Sequence, residues 1–136
     1  MQIKDLKKVY DTVIRPGTEY CSVVYHSLIP QYLSDRLESV QKMATKIIYG
    51  HGANYATLVE NGTVELLSDR RESAILEFGR RNEGSERFKR WFPLATVGER
   101  DVRRGTHRKY QEAQCKTERM RSNPVQYMIR KLNSEQ

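Results

Sequence analysis

Apolar side chains in this chain recur three and four residues apart in short stretches, each stopped by proline or glycine, and that pattern restricts the fold to short amphipathic helices. Leu6, Val9, Tyr10, Val13 and Ile14 form the first stripe. Pro16-Gly17 breaks it, after which Tyr20, Cys21, Val24, Tyr25 and Leu28 repeat the spacing as far as Pro30. This reads as a helical hairpin, although Val23-Val24-Tyr25 also fits a strand, and Cys21 is expected to act as a small buried hydrophobe. Ser34 and Asp35 offer caps to a third helix whose Leu37, Val40, Ala44, Ile47 and Ile48 share one face until Gly50. Gly50-His51-Gly52 is a helix stop, because no Lys-Ser or Lys-Thr follows to make it a phosphate loop.

Tyr55 to Glu60 makes a short helical turn ended by Asn61-Gly62, and Thr63 is the expected N-cap of a longer helix reaching about Arg81. The Asn61-Gly62-Thr63 sequon is read as a turn. Val64, Leu67, Arg71, Ala74, Ile75 and Phe78 take the buried spacing, so Arg71 must pair with an acid or cover the core with its stem. Ser85 to Pro93 is a capped turn in which Phe88, Trp91 and Phe92 interleave with cations; these rings are read as a staple onto the core in preference to a stacking platform. From Leu94 to Arg121 only Val97, Val102, Tyr110 and Met120 offer large apolar or aromatic anchors. Asn123-Pro124 then starts a last helix, with Val125, Met128, Ile129 and Leu132 on one side.

The expected fold is therefore all-α, a small bundle of about five or six helices with an extended basic C-terminal segment and a short terminal helix. Residues 1–93 form the helical domain, 94–121 a basic, weakly ordered linker and 122–136 the closing helix. The core must be small, since 38% of residues are hydrophobic, 30% are charged and the mean hydropathy is -0.77.

Twenty-four Lys and Arg face 17 acids, for a net +7 that favours polyanionic partners. The excess is uneven. Residues 51–98 carry 7 basic and 7 acidic side chains, whereas residues 99–136 carry 10 and 5, so five of the seven net charges lie at the C-terminal end. Two cysteines 94 positions apart make no disulfide framework, and no apolar run suits a signal peptide or a membrane span, so an intracellular setting, cytoplasmic or nuclear, is expected.

Two-metal nucleotidyl transfer needs carboxylates held together, and no two acids are adjacent in the sequence. His26, His51 and His107 have no ligand spacing to one another or to the cysteines, so no metal, cofactor or Cys-His nucleophile is implied. The chemistry on offer is cationic. Arg70-Arg71 and Arg80-Arg81, with Arg87, Lys89 and Arg90, could line a phosphate groove, but the acids among them favour surface ion pairs. Arg100, Arg103, Arg104, Arg108 and Lys109 leave a better footprint, opposed locally by Glu99 and Asp101 alone, with Tyr110 placed to stack on a base; a merely soluble tail stands as the alternative.

Several phrases are similar to the C-terminal region of non-LTR retrotransposon reverse transcriptases of the jockey-like kind. They are Leu6-Lys7-Lys8-Val9-Tyr10 with Ile14-Arg15-Pro16, Glu19-Tyr20-Cys21 with Val24-Tyr25, and Leu37-Glu38-Ser39-Val40-Gln41-Lys42 with Ile47-Ile48-Tyr49-Gly50. Leu67-Ser68-Asp69-Arg70-Arg71, Trp91-Phe92-Pro93 and Asn123-Pro124-Val125-Gln126-Tyr127-Met128 continue the likeness nearly end to end. The family often has a larger aromatic where Tyr25 stands and an apolar residue where Gly17 stands.

The resemblance implies a thumb-like and connecting region beside a palm whose Ala-Asp-Asp signature does not occur in these residues. It thus implies a piece with no enzymatic activity of its own. The expected partners are RNA or an RNA-DNA hybrid, held through phosphates by Arg70, Arg71, Arg80, Arg81, Arg103, Arg104, Arg108 and Lys109, and a reverse-transcriptase palm domain. A protein-interaction or scaffolding role is the alternative.

Overall fold

The structure, a computed structural model, describes residues 2–95 and 109–135. Among these the chain is all-α, as the periodicity requires, with a single isolated bridge between Leu94 and Tyr110 and no strand. The helices are α1 (Ile3–Val9), α2 (Arg15–Glu19), α3 (Ser22–Tyr25), α4 (Gln31–Tyr49), α5 (Tyr55–Glu60), α6 (Leu67–Asn82), α7 (Glu118–Arg121) and α8 (Pro124–Ser134). No helix among the described residues is long and apolar enough to cross a membrane. Two compact units share the chain, one from Met1–Ser22 with Ile29–Glu72 and one from Val23–Leu28 with Ser73–Gln136.

In the first unit, Pro16-Gly17 does not end the opening helix. A π-helical turn over Tyr10–Ile14 joins α1 to α2, and the Arg15 amide bonds back five residues to the Tyr10 carbonyl. Widening the helix in this way shifts the carbonyls that a proline ring would otherwise meet, so Pro16 sits in the first turn of α2. The break comes instead at Tyr20-Cys21, where Cys21 takes a φ of 54°. That left-handed residue destroys the expected continuous face: Cys21 and Tyr20 are exposed, and Ser22 is buried. The expectation of Cys21 in a core is therefore corrected, and Val23-Val24-Tyr25 is helical.

α4 begins at Gln31, ahead of its expected caps at Ser34 and Asp35, and stops as expected at Gly50, whose φ is 93°. Its buried side is rotated from the apolar count. Gln41, Ala44, Thr45 and Ile48 are inside, while Val40, Met43 and Ile47 are exposed.

α5 also ends where Asn61-Gly62 requires, but Thr63 belongs to that ending and not to the next helix. The Gly62 amide donates to the Val59 carbonyl and the Thr63 amide to Leu58, around Gly62 at a φ of 69°, which is the left-handed cap that satisfies a helix's last carbonyls. Thr63 is spent in this way, so α6 starts at Leu67, and the carboxylate of Glu38 accepts the Leu67 amide at 3.1 Å.

The second unit has the apolar core. Ile75 of α6, Phe92, Tyr110, and Met128, Ile129 and Leu132 of α8 form one buried cluster, with Phe78, Phe88 and Val125 packed against it. Asn123 caps α8 by accepting the Val125 amide at 3.0 Å, and Pro124 opens it, as the sequence predicts. Burying each large apolar side chain contributes about 1.5–3 kcal/mol, so this small cluster dominates the unit's stability. Gly79 lets α8 approach α6: a Cβ there would lie 3.1 Å from Leu132 Cδ1.

Candidate nucleic-acid interface

Of the nominated cations, Arg103, Arg104 and Arg108 lie outside the described residues. The other five are placed, and each has an intramolecular partner.

Arg70, in the first unit, is gripped from two sides. Its Nε and Nη2 donate to the two carboxylate oxygens of Glu19 at 2.5 and 3.2 Å, and its Nη1 donates to Glu65 at 2.9 Å. The hydrogen bonds to Glu19 push its already high pKa up, so this is a permanent cation held by two acids. Arg71 is 1% exposed, between the buried Leu67 and Ile75 positions of α6, and donates to the Ser34 hydroxyl at 2.8 Å. A side chain so enclosed does not reach a phosphate backbone, which corrects the expectation for Arg71; its spacing-based reading as a cation on the core face is what the structure shows.

Arg80, Arg81 and Lys109 belong to the second unit and lie at its surface. Arg80 pairs with Glu135 at 2.7 Å, Arg81 with Glu77 one turn back on α6, and Lys109 with Glu83 at 2.6 Å. Exposed pairs of this kind are weak because solvent screens them, so an incoming phosphate can take over the cation at little cost.

Lys109 is also part of a clasp. Tyr110 beside it is 2% exposed, its ring 5.7 Å from that of Phe92, so it is a core residue and not available to stack on a base, which corrects that expectation. Its hydroxyl donates to Glu83 at 2.7 Å, its amide donates to Asn133 at 3.0 Å and its carbonyl accepts from Asn133 at 3.1 Å. Two further backbone bonds, Ala95 to Lys109 and Gln111 to Pro93, hold together the ends that flank residues 96–108.

Hydrogen bonds from Lys109 and then Tyr110 hold the Glu83 carboxyl below its ordinary value. A depressed carboxylate adds stability that is present above its unfolded pKa and is lost as pH falls through the folded one. Glu83→Gln is thus expected to flatten the acid side of the second unit's stability profile, read from Trp91 fluorescence against pH. An unchanged profile would mean that the clasp does not form.

Phe88 and Phe92 of the 85–93 turn follow the staple reading, whereas Trp91 is exposed. Phe92 is 4% exposed in the core, and Phe88 meets Phe78 and Trp91 edge-on at 5.6 and 4.9 Å.

One feature of the first unit was not legible in the sequence. A polar cleft of about 320 Å³ is lined by residues that include Lys7, Tyr10, Arg15, Gln41 and Arg70. At its floor the Tyr10 hydroxyl donates to Gln41 at 2.8 Å, and the Gln41 amide donates to the Tyr55 hydroxyl at 2.9 Å and to the Glu65 carbonyl at 2.6 Å. Tyr55 in turn donates to Glu38. Burial, and then the hydrogen bond to Glu38, push the Tyr55 hydroxyl well above its usual range, and burial first also raises Tyr10, so both remain neutral donors. Arg15 and Arg70 are matched there by Asp11 and Glu65, so the cleft is close to neutral. Its chemistry is structural, a chain of hydrogen bonds that fixes α1, α4 and the start of α6. Among the described residues no group of His, Cys, Asp or Glu is arranged to hold a metal ion.

Comparison with protein-family models, with curated proteins and with solved structures finds no match to this chain.

Proposed function

We propose that this chain is a non-catalytic, reverse-transcriptase-derived helical piece that binds RNA or an RNA-DNA duplex through backbone phosphates, beside a palm supplied by another chain or domain. The observation that carries the reading is the charge distribution: residues 99–136 hold 10 of the 24 basic side chains against 5 acids. The all-α fold suits the resemblance to a thumb-like region, and Arg80, Arg81 and Lys109 stand at the surface in pairs weak enough to exchange for phosphates.

Such contacts act by displacing counterions, so each lost phosphate contact flattens the salt dependence of binding by roughly 0.7–0.9 in log-log slope. The double change Arg103→Ala with Arg104→Ala is expected to weaken binding to all sequences alike and to lower that slope by about 1.5. Unaltered affinity and slope would remove residues 99–109 from the binding surface.

A second reading, a protein-interaction or scaffolding domain, is favoured by the apolar side chains that α1 and α4 leave exposed: Val9, Val40, Met43 and Ile47.

A further inference from the structure

Within the first unit those side chains are not scattered. Leu6, Val9 and Ile14 on one side and Val40, Met43 and Ile47 on the other line a single apolar groove of about 200 Å³, with Ala44 and Ile48 among its lining residues. Met43 is 67% exposed and Ile47 62%, which is costly for side chains of this size in water. Their spacing on α4, 40, 43 and 47, is that of a helix presenting one face to a partner.

The charges on the two helices that form the groove choose the partner. α1 and α4 expose six cations, of which Lys7 lines the polar cleft and Lys42 lies over the Tyr55 ring; the remaining four, Lys4, Lys8, Arg36 and Lys46, stand against two carboxylates, Asp5 and Asp35. Both carboxylates are already engaged, Asp5 by the Gln2 amide at 3.3 Å and Asp35 by the Gln31 side chain at 2.9 Å. A second copy of this chain laid on the groove would bring two cationic helix pairs together, which like-charge repulsion opposes. A lipid surface fits a convex amphipathic helix better than a concave slot between two helices.

We infer that the groove between α1 and α4 receives an amphipathic helix of a partner protein, its apolar stripe seated on Val9, Val40, Met43 and Ile47 and its flanks acidic. This is the helix-in-groove mode, in which apolar anchors at i, i+3 and i+7 supply the affinity and flanking charge sets the partner. Met43 gives the α4 side of the groove an adaptable side chain that can take more than one anchor shape. The inference rests on the second reading above for the use of this surface, and it is independent of nucleic-acid binding.

The test uses the full chain and a labelled designed peptide about four turns long, with leucines on one face and glutamates on its flanks. Two controls carry the same residues scrambled, or lysine in place of glutamate. The expected result is saturable binding of the acidic peptide, at least about tenfold weaker for the lysine version, with the gap narrowing as salt rises. Met43→Glu and Ile47→Glu, at exposed positions that leave the circular dichroism unchanged, should each weaken binding at least about tenfold. Equal binding of all three peptides, or no binding of any, overturns the inference. So does a chain that sediments as a dimer and is made monomeric by Ile47→Glu, or one whose groove binds phosphatidylserine vesicles and not the peptide. Loss of RNA-DNA binding in the Arg103 and Arg104 variant with peptide binding intact would separate the two surfaces.

Discussion

Tyr110→Ala is expected to destabilise the second unit by about 3–5 kcal/mol, the cost of truncating a large buried aromatic side chain. The ring is 2% exposed and packs on Phe92, and its hydroxyl serves Glu83. A small domain has only about 5–15 kcal/mol in hand, so this one change should bring the unit close to unfolding. Trp91 is the one tryptophan and stands 4.9 Å from Phe88, so its fluorescence reports the loss as a lower urea midpoint. Tyr110→Phe removes the hydroxyl alone and should cost about 0.5–1.5 kcal/mol. A midpoint unmoved by Tyr110→Ala would show that the ring is outside the core and free for another role.

Gln41→Leu should cost about 2–4 kcal/mol even though the side chain keeps nearly the same size, because it strands polar groups that only the amide satisfies. The Glu65 carbonyl loses its 2.6 Å donor, and Tyr10 loses its acceptor. For a unit of this size the Tm should fall on the order of 10–25 °C, measured by circular dichroism. Val40→Ala, one residue away and exposed, should move the Tm by a few degrees at most. The reverse order, a large effect at Val40 and a small one at Gln41, would mean that α4 is turned the way its apolar count suggests.

That contrast marks how far the sequence could be read. Stops written in local chemistry were legible: Gly50 and Gly62 take positive φ, and Asn123-Pro124 caps and opens α8. The buried set of α6 was legible as well, including Arg71 at a core spacing, because Leu67, Arg71 and Ile75 recur four residues apart. The face of α4 was not. Its orientation is set by Gln41, Tyr55 and Glu38 meeting Tyr10, Glu65 and Leu67, contacts that span 14 to 31 residues and give no periodic signal.

The same holds for the cations. Arg70 and Arg71 look alike in the sequence, yet one is held by Glu19, 51 positions away, and the other is enclosed beside Ser34. Arg80 finds Glu135 across 55 positions and Lys109 finds Glu83 across 26. Counting charges by segment located the excess but not the pairing. Helix continuity through Pro16 was hidden for another reason, since a π-helical turn has no residue signature and simply absorbs the proline.

The most direct measurement is fluorescence anisotropy of a labelled RNA-DNA hybrid titrated with the unmodified chain over a series of salt concentrations, beside a hybrid of scrambled sequence. A phosphate-binding helical piece predicts equal affinity for both hybrids and a steep linear fall of log affinity with log salt. No binding at low salt by a chain that circular dichroism shows to be folded would contradict it.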